Sequence, residues 1–518
     1  MTRAKKILCA VLFVGIIMGC FSPEAFAGSP ESKSLSEKDT QMSLTTESDD
    51  ARGNEYVSRT LTGSDAVLSF QQSIGAISRS SNDSGDRTNS IEELFGCDID
   101  ISSAFEIFDT VTGDMYTRYI SSDKAEISFD ENGEIFKIST IYADEESATR
   151  TVASMQEVKD ACLDMMDELY CLLDIDVEYT LTEVYDFDQD YVFFTFEKEI
   201  SSGLTNPLQS VNVVFDKNDL RFSIAVKFNY SPNATAPIIT VEDALSVARG
   251  YTTNEVTVDD VELTYLSEIM YAPIAEQYNN DYCYLVYRIL PANDCDIIYI
   301  DALTGEYIGR DMLLGETGFS VAIQESKDPS AYSYNSVLLN YTDADVTKYN
   351  SWFYNKANLA VAAMRRLGYS ATASYYSTSQ MITDIEDYLQ ALSNEYAFFF
   401  SGHGSKSVIG FHSKGRITHS DVTGNWHFVF LDACSTAVDT GWADAFKING
   451  YSDRAFLGWS NSIAYNYSYL FAQKFWPLIN GSNTVRQAAV DAAAEVPGSG
   501  TTPIRFYGDT SYTGEAWS

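Results

Sequence analysis

Two apolar runs near the C-terminal end of the chain constrain its fold most strongly. Residues 396–402 have strand length and are followed by His403, and residues 426–433 have the same character and are followed by Cys434. Helical patterns alternate with such strands over residues 315–518, as a parallel sheet flanked by helices requires. The sequence therefore predicts one α/β domain over this range.

The residues that follow these strands can perform nucleophilic chemistry. In an open parallel sheet, active groups collect beyond the carboxyl ends of the strands, and neighbouring strands run about 4.8 Å apart. His403 could then take the proton of the Cys434 thiol and later protonate a leaving amine. The backbone N–H groups of Gly404 and Cys434 could bind the oxyanion of a tetrahedral intermediate. This pattern predicts a cysteine enzyme with a His/Cys dyad.

The two motifs resemble those of caspase-like cysteine peptidases of clan CD, which include clostripain, gingipain and CHAT-type members. The matching stretches are Phe398-Phe-Phe-Ser-Gly-His403-Gly404 and Val429-Phe-Leu-Asp432-Ala-Cys434, and the likeness covers residues 315–518. The resemblance implies a caspase-like parallel sheet flanked by helices. It also implies hydrolysis of peptide bonds by His403 and Cys434.

The same resemblance implies which residues bind substrate. Asp432 would line the pocket for the residue before the cut bond, and it would favour Arg or Lys because a carboxylate binds a guanidinium by two charge-assisted hydrogen bonds. Trp459 and Ser460 would form another wall of that pocket. Two alternatives stay open: Asp432 as a cap of the following turn, and Trp459 as a core residue.

The histidines do not indicate a metal site. All four lie between His403 and His427, with gaps of nine, seven and eight residues, unlike the short paired spacings of zinc ligands. Packing within the sheet is the expected state of His427. We therefore predict no metal and no cofactor.

The N-terminus has the pattern of a secretory signal over residues 1–27: basic residues, then an apolar stretch, then small residues at Ala25 and Ala27. The alternative is cleavage before Cys20, which would leave a lipid-anchored surface form. No other apolar run approaches the roughly 20 residues that span a bilayer. We thus expect a secreted or surface-tethered protein without a transmembrane segment in its mature chain.

Between the signal and the α/β domain, three segments are predicted. Residues 28–94 are rich in Ser, Thr, Asp and Glu and predict a flexible acidic leader. Residues 95–235 and residues 236–314 each predict a helix followed by strands, giving an N-terminal α+β region. Thr240 and Asp243 are placed like a capping box at the start of the second of these helices. Within 236–314, the turn Asp301-Ala-Leu-Thr-Gly-Glu306 resembles that of a PepSY module, although an ordinary turn at this glycine would read the same way.

Modules of the PepSY family recur in the propeptides of secreted peptidases, so the resemblance implies that the acidic N-terminal region acts as an intramolecular inhibitor or chaperone. The chain has a net charge of −40, nearly all of it upstream of residue 315. Such a surface repels nucleic-acid phosphates, which disfavours a nucleic-acid partner and leaves proteins or peptides as substrates.

These observations together predict a secreted cysteine endopeptidase made as a zymogen. If Asp432 sets a basic preference, Arg310, between the PepSY-like unit and the α/β domain, is the expected processing site. The alternative is a non-catalytic surface binding module on a degenerate caspase-like scaffold, in which Cys434 would be a buried structural thiol.

Overall fold

A computed structural model of the chain describes most of the sequence downstream of residue 54. The described residues are 55–80, 100–109, 115–121, 125–139, 153–173, 175, 179–252, 254–267, 282–291, 296–312, 320–321, 323–324, 343–367, 374–375, 397–402, 404–410, 416–424, 426–498 and 504–514.

The N-terminal region contains an antiparallel sheet of nine strands, β1 to β9, in the order β1-β2-β3-β4-β5-β9-β8-β7-β6. Its two halves are consecutive hairpins, and they meet where β5 pairs with β9. Helices α1 and α2 cover one face of the sheet, so the apolar side chains of that face form a core of their own. The elements are β1 Glu55–Thr62, α1 Ser64–Ser80, β2 Ile101–Asp109, β3 Met115–Ser121, β4 Glu126–Phe129, β5 Ile135–Ser139, α2 Met155–Leu172, β6 Tyr179–Asp186, β7 Tyr191–Ser201, β8 Leu204–Asp216 and β9 Arg221–Asn229.

The prediction of a flexible leader over residues 28–94 does not hold for residues 55–80, which form β1 and α1. Strand β1 pairs with β2, and in α1 the side chains of Ala66 and Phe70 are buried against the sheet. Phe70 makes edge-to-face ring contacts with Tyr119 and Phe129. These apolar side chains at helical spacing, together with hydrogen bonds of Ser69 and Ser73 with the Tyr119 hydroxyl, dock the segment despite its polar composition.

A unit of one helix followed by a four-stranded meander occurs three times. Helix α1 precedes β2 to β5 and α2 precedes β6 to β9. A third helix, α3 (Val241–Ala248), precedes the strands β11 (Val261–Ser267), β12 (Tyr282–Ile289), β13 (Asp296–Asp301) and β14 (Tyr307–Met312). The sequence patterns predict only the second and third of these units. Both of their helices begin with a capping box, at Ser154 and Glu157 in α2 and at Thr240 and Asp243 in α3, the latter as predicted.

The third unit forms its own sheet, in which β11 and β13 pair with β12 and β14 pairs with β13, all antiparallel. The turn after β13 depends on Asp301, whose Oδ1 accepts the N–H groups of Leu303 and Thr304 at 2.7 and 2.8 Å. Gly305 has a φ of +78°, a conformation that favours glycine. The elements of the unit are β10 Ser231–Pro232, α3 Val241–Ala248, β11 Val261–Ser267, β12 Tyr282–Ile289, β13 Asp296–Asp301 and β14 Tyr307–Met312.

The C-terminal region is built on a five-stranded sheet in the order β15-β18-β21-β22-β23. The three central strands are parallel, whereas β15 and β23 run antiparallel to their neighbours. The sheet is therefore mixed rather than all-parallel, since both of its edge strands run opposite to the three central ones. The elements are β15 Ser320–Val321, β16 Ile323–Gln324, α4 Asp343–Arg366, β17 Ser374–Tyr375, β18 Ala397–Gly402, β19 Val408–Gly410, β20 Arg416–Thr418, β21 Phe428–Asp432, α5 Gly441–Ala445, β22 Ala455–Trp459, α6 Tyr465–Leu478, α7 Val485–Ala494 and β23 Ile504–Gly508.

The N-terminal and C-terminal regions share one hydrophobic core. Buried side chains of β7 to β9 and of the third unit join those of α4, α6 and α7 in a single apolar cluster. The buried Asn212 amide of β8 donates to the backbone oxygens of Ala494 and Val496, at 3.1 and 2.7 Å, where α7 ends. Arg486 of α7 contacts Asp188 at 2.5 Å and Asp190 at 2.6 Å. This interface has the packing of a domain interior.

Candidate active site

The predicted site lies where β18, β21 and β22 end at one edge of the sheet. Strands β18 and β21 are parallel neighbours, with Phe400 opposite Leu431 and Ser401 opposite Asp432. Strand β22 lies on the other side of β21 in the same direction. The residues that follow these strands therefore come together. His403, the proposed base, lies outside the described residues.

Gly404 and the segment after β21 are in close contact. A Cβ atom at position 404 would lie 2.7 Å from the Ala433 Cβ, 2.9 Å from the Thr436 Cγ2 and 3.3 Å from the Cys434 carbonyl oxygen. Real Cβ atoms essentially never come within 3.0 Å of a neighbour. Glycine at this position thus allows the two strand ends to meet.

Cys434 is almost completely buried, with 1% of its surface exposed. Its Sγ accepts the backbone N–H of Ile463 at 3.1 Å and lies 3.8 Å from the carbonyl oxygen of the same residue. The next residue, Ser435, has a φ of +57° and donates its N–H to the Asn461 carbonyl at 3.0 Å. The loop between β22 and α6 therefore covers the thiol in this structure.

Asp432 lies beneath this edge, fully buried, and binds four side chains. Its Oδ2 accepts from the Lys356 ammonium at 2.6 Å and from the Ser401 hydroxyl at 2.7 Å. Its Oδ1 accepts from the Trp459 indole at 2.8 Å and from the Ser468 hydroxyl at 2.7 Å. Two bonds to each oxygen use the acceptor capacity of an ionised carboxylate.

Lys356 is the charged partner of this carboxylate and is also fully buried. Its ammonium donates to Ser468 at 2.9 Å and lies 4.0 Å from the centre of the Tyr465 ring. Burial lowers the pKa of Lys356 to about 8, while Asp432 and, to a lesser degree, Asp311 oppose that shift by favouring the cation. The interior thus contains one ion pair directly behind the strand ends.

The residues predicted to bind substrate have different surroundings from those expected. Asp432 faces Lys356 rather than an open pocket, so a substrate guanidinium could reach it only by displacing that ammonium. Trp459 is buried and contacts the rings of Phe430 and Phe471, which matches the alternative of core packing. Ser460 is partly exposed.

Sequence reasoning missed Lys356, Ser401 and Ser468. A signal for Lys356 is present, because it lies on the same helical stripe as the buried Trp352 and Ala360. A lysine on the apolar stripe of an amphipathic helix requires a buried partner. Nothing in the sequence says which carboxylate that partner is.

Arg310, the predicted processing site, lies in β14 with its side chain buried. Its guanidinium donates to the Tyr251 carbonyl oxygen. The next residue, Asp311, is also buried, and its Oδ2 accepts the N–H of Asn466 at 3.4 Å, near the start of α6. A peptidase could cut here only after β14 detaches from β13.

The other histidines have separate environments. His419 packs edge-on against Trp442. The Nδ1 of His427 lies 3.1 Å from the Asp453 carbonyl oxygen, and burial lowers the pKa of its ring. His412 lies outside the described residues. Within the described part of the chain, no group of three His, Cys, Asp or Glu side chains could hold a metal ion.

A cavity of about 730 Å³ lies beside the loop that covers the thiol. Ser462 and Ala464, which flank Ile463, line one side of it. The other sides come from the turn between β7 and β8 and from β11 to β13, with Glu197, Arg288 and Tyr299 among the lining residues. The N-terminal region therefore borders the approach to the covering loop.

No protein-family model matches the chain, and no curated protein matches it. Among solved structures, the C-terminal domain of YpeB from Bacillus megaterium is a structural neighbour at 14% identity, covering 50% of this chain and 90% of that domain, with a TM-score of 0.24. Among the helices of the described residues, none is long and apolar enough to cross a membrane.

Proposed function

We propose that the protein is a secreted cysteine endopeptidase held as a zymogen. The observation that carries this proposal is the meeting of two parallel strand ends, with Gly404 packed against the Ala433-Cys434 segment. The motifs His403-Gly404 and Asp432-Ala433-Cys434 stand at the carboxyl ends of the same two strands in the sequence. A nucleophile, a base and backbone N–H donors would thereby share one edge of the sheet.

The chemistry would begin with transfer of the thiol proton of Cys434 to His403. The thiolate would attack the peptide carbonyl, and the backbone N–H groups of Gly404 and Cys434 would bind the resulting oxyanion. His403 would then protonate the leaving amine, leaving a thioester that water hydrolyses. One oxyanion donor contributes roughly 3 kcal/mol to lowering the barrier.

The burial of Cys434 supports the zymogen part of the proposal. The thiol accepts a hydrogen bond from the Ile463 backbone and is covered by the loop between β22 and α6. A peptide therefore cannot reach it until that loop moves. The N-terminal region borders that loop through the cavity described above. In this scheme, the N-terminal region stabilises the covered state, as an intramolecular inhibitor or chaperone would.

The preference for Arg or Lys before the cut bond remains a prediction from resemblance. In the closed arrangement the carboxylate of Asp432 is engaged by Lys356. Maturation after Arg310 is likewise a prediction, and it requires β14 to open.

Site-specific alkylation of Cys434 tests the proposal. The full-length chain is treated with iodoacetamide near neutral pH, before and after limited proteolysis, and modification of the Cys434 peptide is followed by mass spectrometry. We expect slow modification of the intact chain, because the thiol is buried. After activation we expect rapid modification that slows in His403→Ala, together with peptide cleavage that disappears in Cys434→Ala. The buried Cys162 thiol is an internal control for unfolding.

A second candidate function is a non-catalytic binding module. Two observations favour it: the hydrogen bond that the Cys434 thiol accepts from the Ile463 backbone, and the cavity of about 730 Å³, a volume typical of ligand sites. It predicts slow alkylation of Cys434 that is indifferent to His403→Ala before and after proteolysis, and no cleavage of any peptide. That result would displace the peptidase proposal.

A further inference from the structure

The described residues contain one buried ion pair directly behind the proposed active site, between Lys356 and Asp432. Asp432 precedes Cys434 by two residues, and Ser401 precedes His403 by two residues. Because Ser401 and Asp432 are opposite each other in the parallel pairing of β18 and β21, the hydrogen bond between them spans the two strands at their carboxyl ends. A slip of one residue between the strands would break this bond.

The other partners of Asp432 extend the same connection. Trp459 is the last residue of β22, so its indole ties the third parallel strand to the same carboxylate. Ser468 and Lys356 come from helices α6 and α4, which pack against each other over the sheet. One carboxylate therefore links three strand ends and two helices.

We propose that Lys356 is a positioning residue of the active site, which acts by holding the Asp432 carboxylate at the point where β18, β21 and β22 are joined. The inference rests on the proposed peptidase function and changes the role of Asp432. Its carboxylate fixes the relative positions of the strand ends that carry His403 and Cys434, and it does not contact substrate. Lys356 supplies the positive charge that a buried carboxylate needs.

The alternative role, in which Asp432 binds the basic side chain of a substrate, differs in a measurable way. A pocket residue affects substrates with Arg or Lys before the cut bond and leaves neutral substrates unaffected. A positioning residue affects all substrates alike, and it acts on kcat rather than on KM.

The test uses the full-length chain and its activated form with the variants Lys356→Met, Asp432→Asn and Lys356→Met/Asp432→Asn. Lys137→Met is the matched control, because Lys137 is also buried and also pairs with carboxylates, Glu126 and Glu495, but belongs to β5 of the nine-stranded sheet rather than to the strand ends of the site. We expect each site variant to lower kcat by about 10- to 100-fold across a peptide library, with an unchanged preference at the residue before the cut. The double variant should recover part of the folding stability that the single variants lose, because it removes both charges of the Lys356–Asp432 pair, but it should not recover kcat.

Amide hydrogen exchange keeps the inference testable if no peptide is cleaved. Exchange at the ends of β18 and β21 should accelerate by about tenfold or more in the double variant and remain unchanged in Lys137→Met. An inactive wild type would overturn the proposed function, whereas exchange still reports on the positioning role. Wild-type exchange in the double variant, or loss of activity confined to basic substrates in Asp432→Asn, would overturn the inference.

Discussion

The contact between Gly404 and the segment after β21 makes a sharp prediction for Gly404→Ala. The backbone at this position is not among those with positive φ, so an added methyl group meets only steric resistance. It would lie 2.7 Å from the Ala433 Cβ and 2.9 Å from the Thr436 Cγ2, where ordinary contacts are 3.4–4 Å. Both neighbours are buried and short, so neither can swing away. Overpacking of this kind costs about 1–3 kcal/mol.

Native-state hydrogen exchange of β18 and β21 measures the expected loss, as a fall of about 1–3 kcal/mol in the free energy of local opening. Combining Gly404→Ala with Ala433→Gly and Thr436→Ser should restore much of that loss, because both opposing carbon atoms are then gone. Gly203→Ala is the control, since Gly203 has a φ of +80° and open space around it. Its cost should come from the backbone alone and should be unaffected by the two compensating changes. If Gly404→Ala exchanged like the wild type, the two strand ends would not meet and the proposed site would lose its basis.

Three further predictions concern the interface and pH. Residues 315–518 expressed alone should bind a hydrophobic dye and aggregate when concentrated, because α6 and α7 would expose apolar surface. Recovery of a folded, soluble domain would show that this region needs no N-terminal partner. Arg486→Gln should destabilise the chain by about 3–5 kcal/mol in urea unfolding, because it leaves Asp188 and Asp190 mostly buried without their cation, and adding Asn at both acidic positions should recover part of the loss. Burial lowers the pKa of His427 below 6.5, so the contribution of its neutral ring to the free energy of unfolding is present above that pH and is lost as the pH falls. The stability of the wild type should therefore drop relative to that of His427→Gln between about pH 7 and about pH 5. Parallel curves of stability against pH for the two proteins would contradict the assignment.

The sequence predicted the strands of the site well because they are buried on both faces. Residues 397–402 and 428–432 are apolar runs of strand length, and such runs identify central parallel strands without knowledge of their neighbours. The capping box at Thr240 was equally accessible, since both of its residues are local. Local patterns therefore located the strand ends and one helix start.

The role of Asp432 could not be predicted in the same way. Its partner Lys356 is 76 residues away in the sequence and Ser468 is 36 residues away, and neither belongs to a recognisable motif. Long-range pairing of buried polar groups follows from the packing of helices on a sheet, which periodicity does not specify. The first helix-plus-meander unit was missed for a related reason: among the described side chains of α1 only Ala66 and Phe70 are buried, and the polar composition of the helix resembles that of a linker.

The shared core places a physical limit on how a zymogen of this kind could be activated. Asp311 from β14 accepts a backbone N–H near the start of α6, and the same helix carries Ser468, a partner of Asp432. Asn212 and the surrounding apolar cluster hold the end of α7 in a similar way. Dissociation of the N-terminal region would thus expose apolar surface and remove hydrogen-bond partners on two helices of the proposed catalytic domain. A cut near Arg310 should therefore loosen the chain locally rather than separate the N-terminal and C-terminal regions. Activation should then consist of movement of the loop that carries Ile463, while the two fragments remain bound to each other.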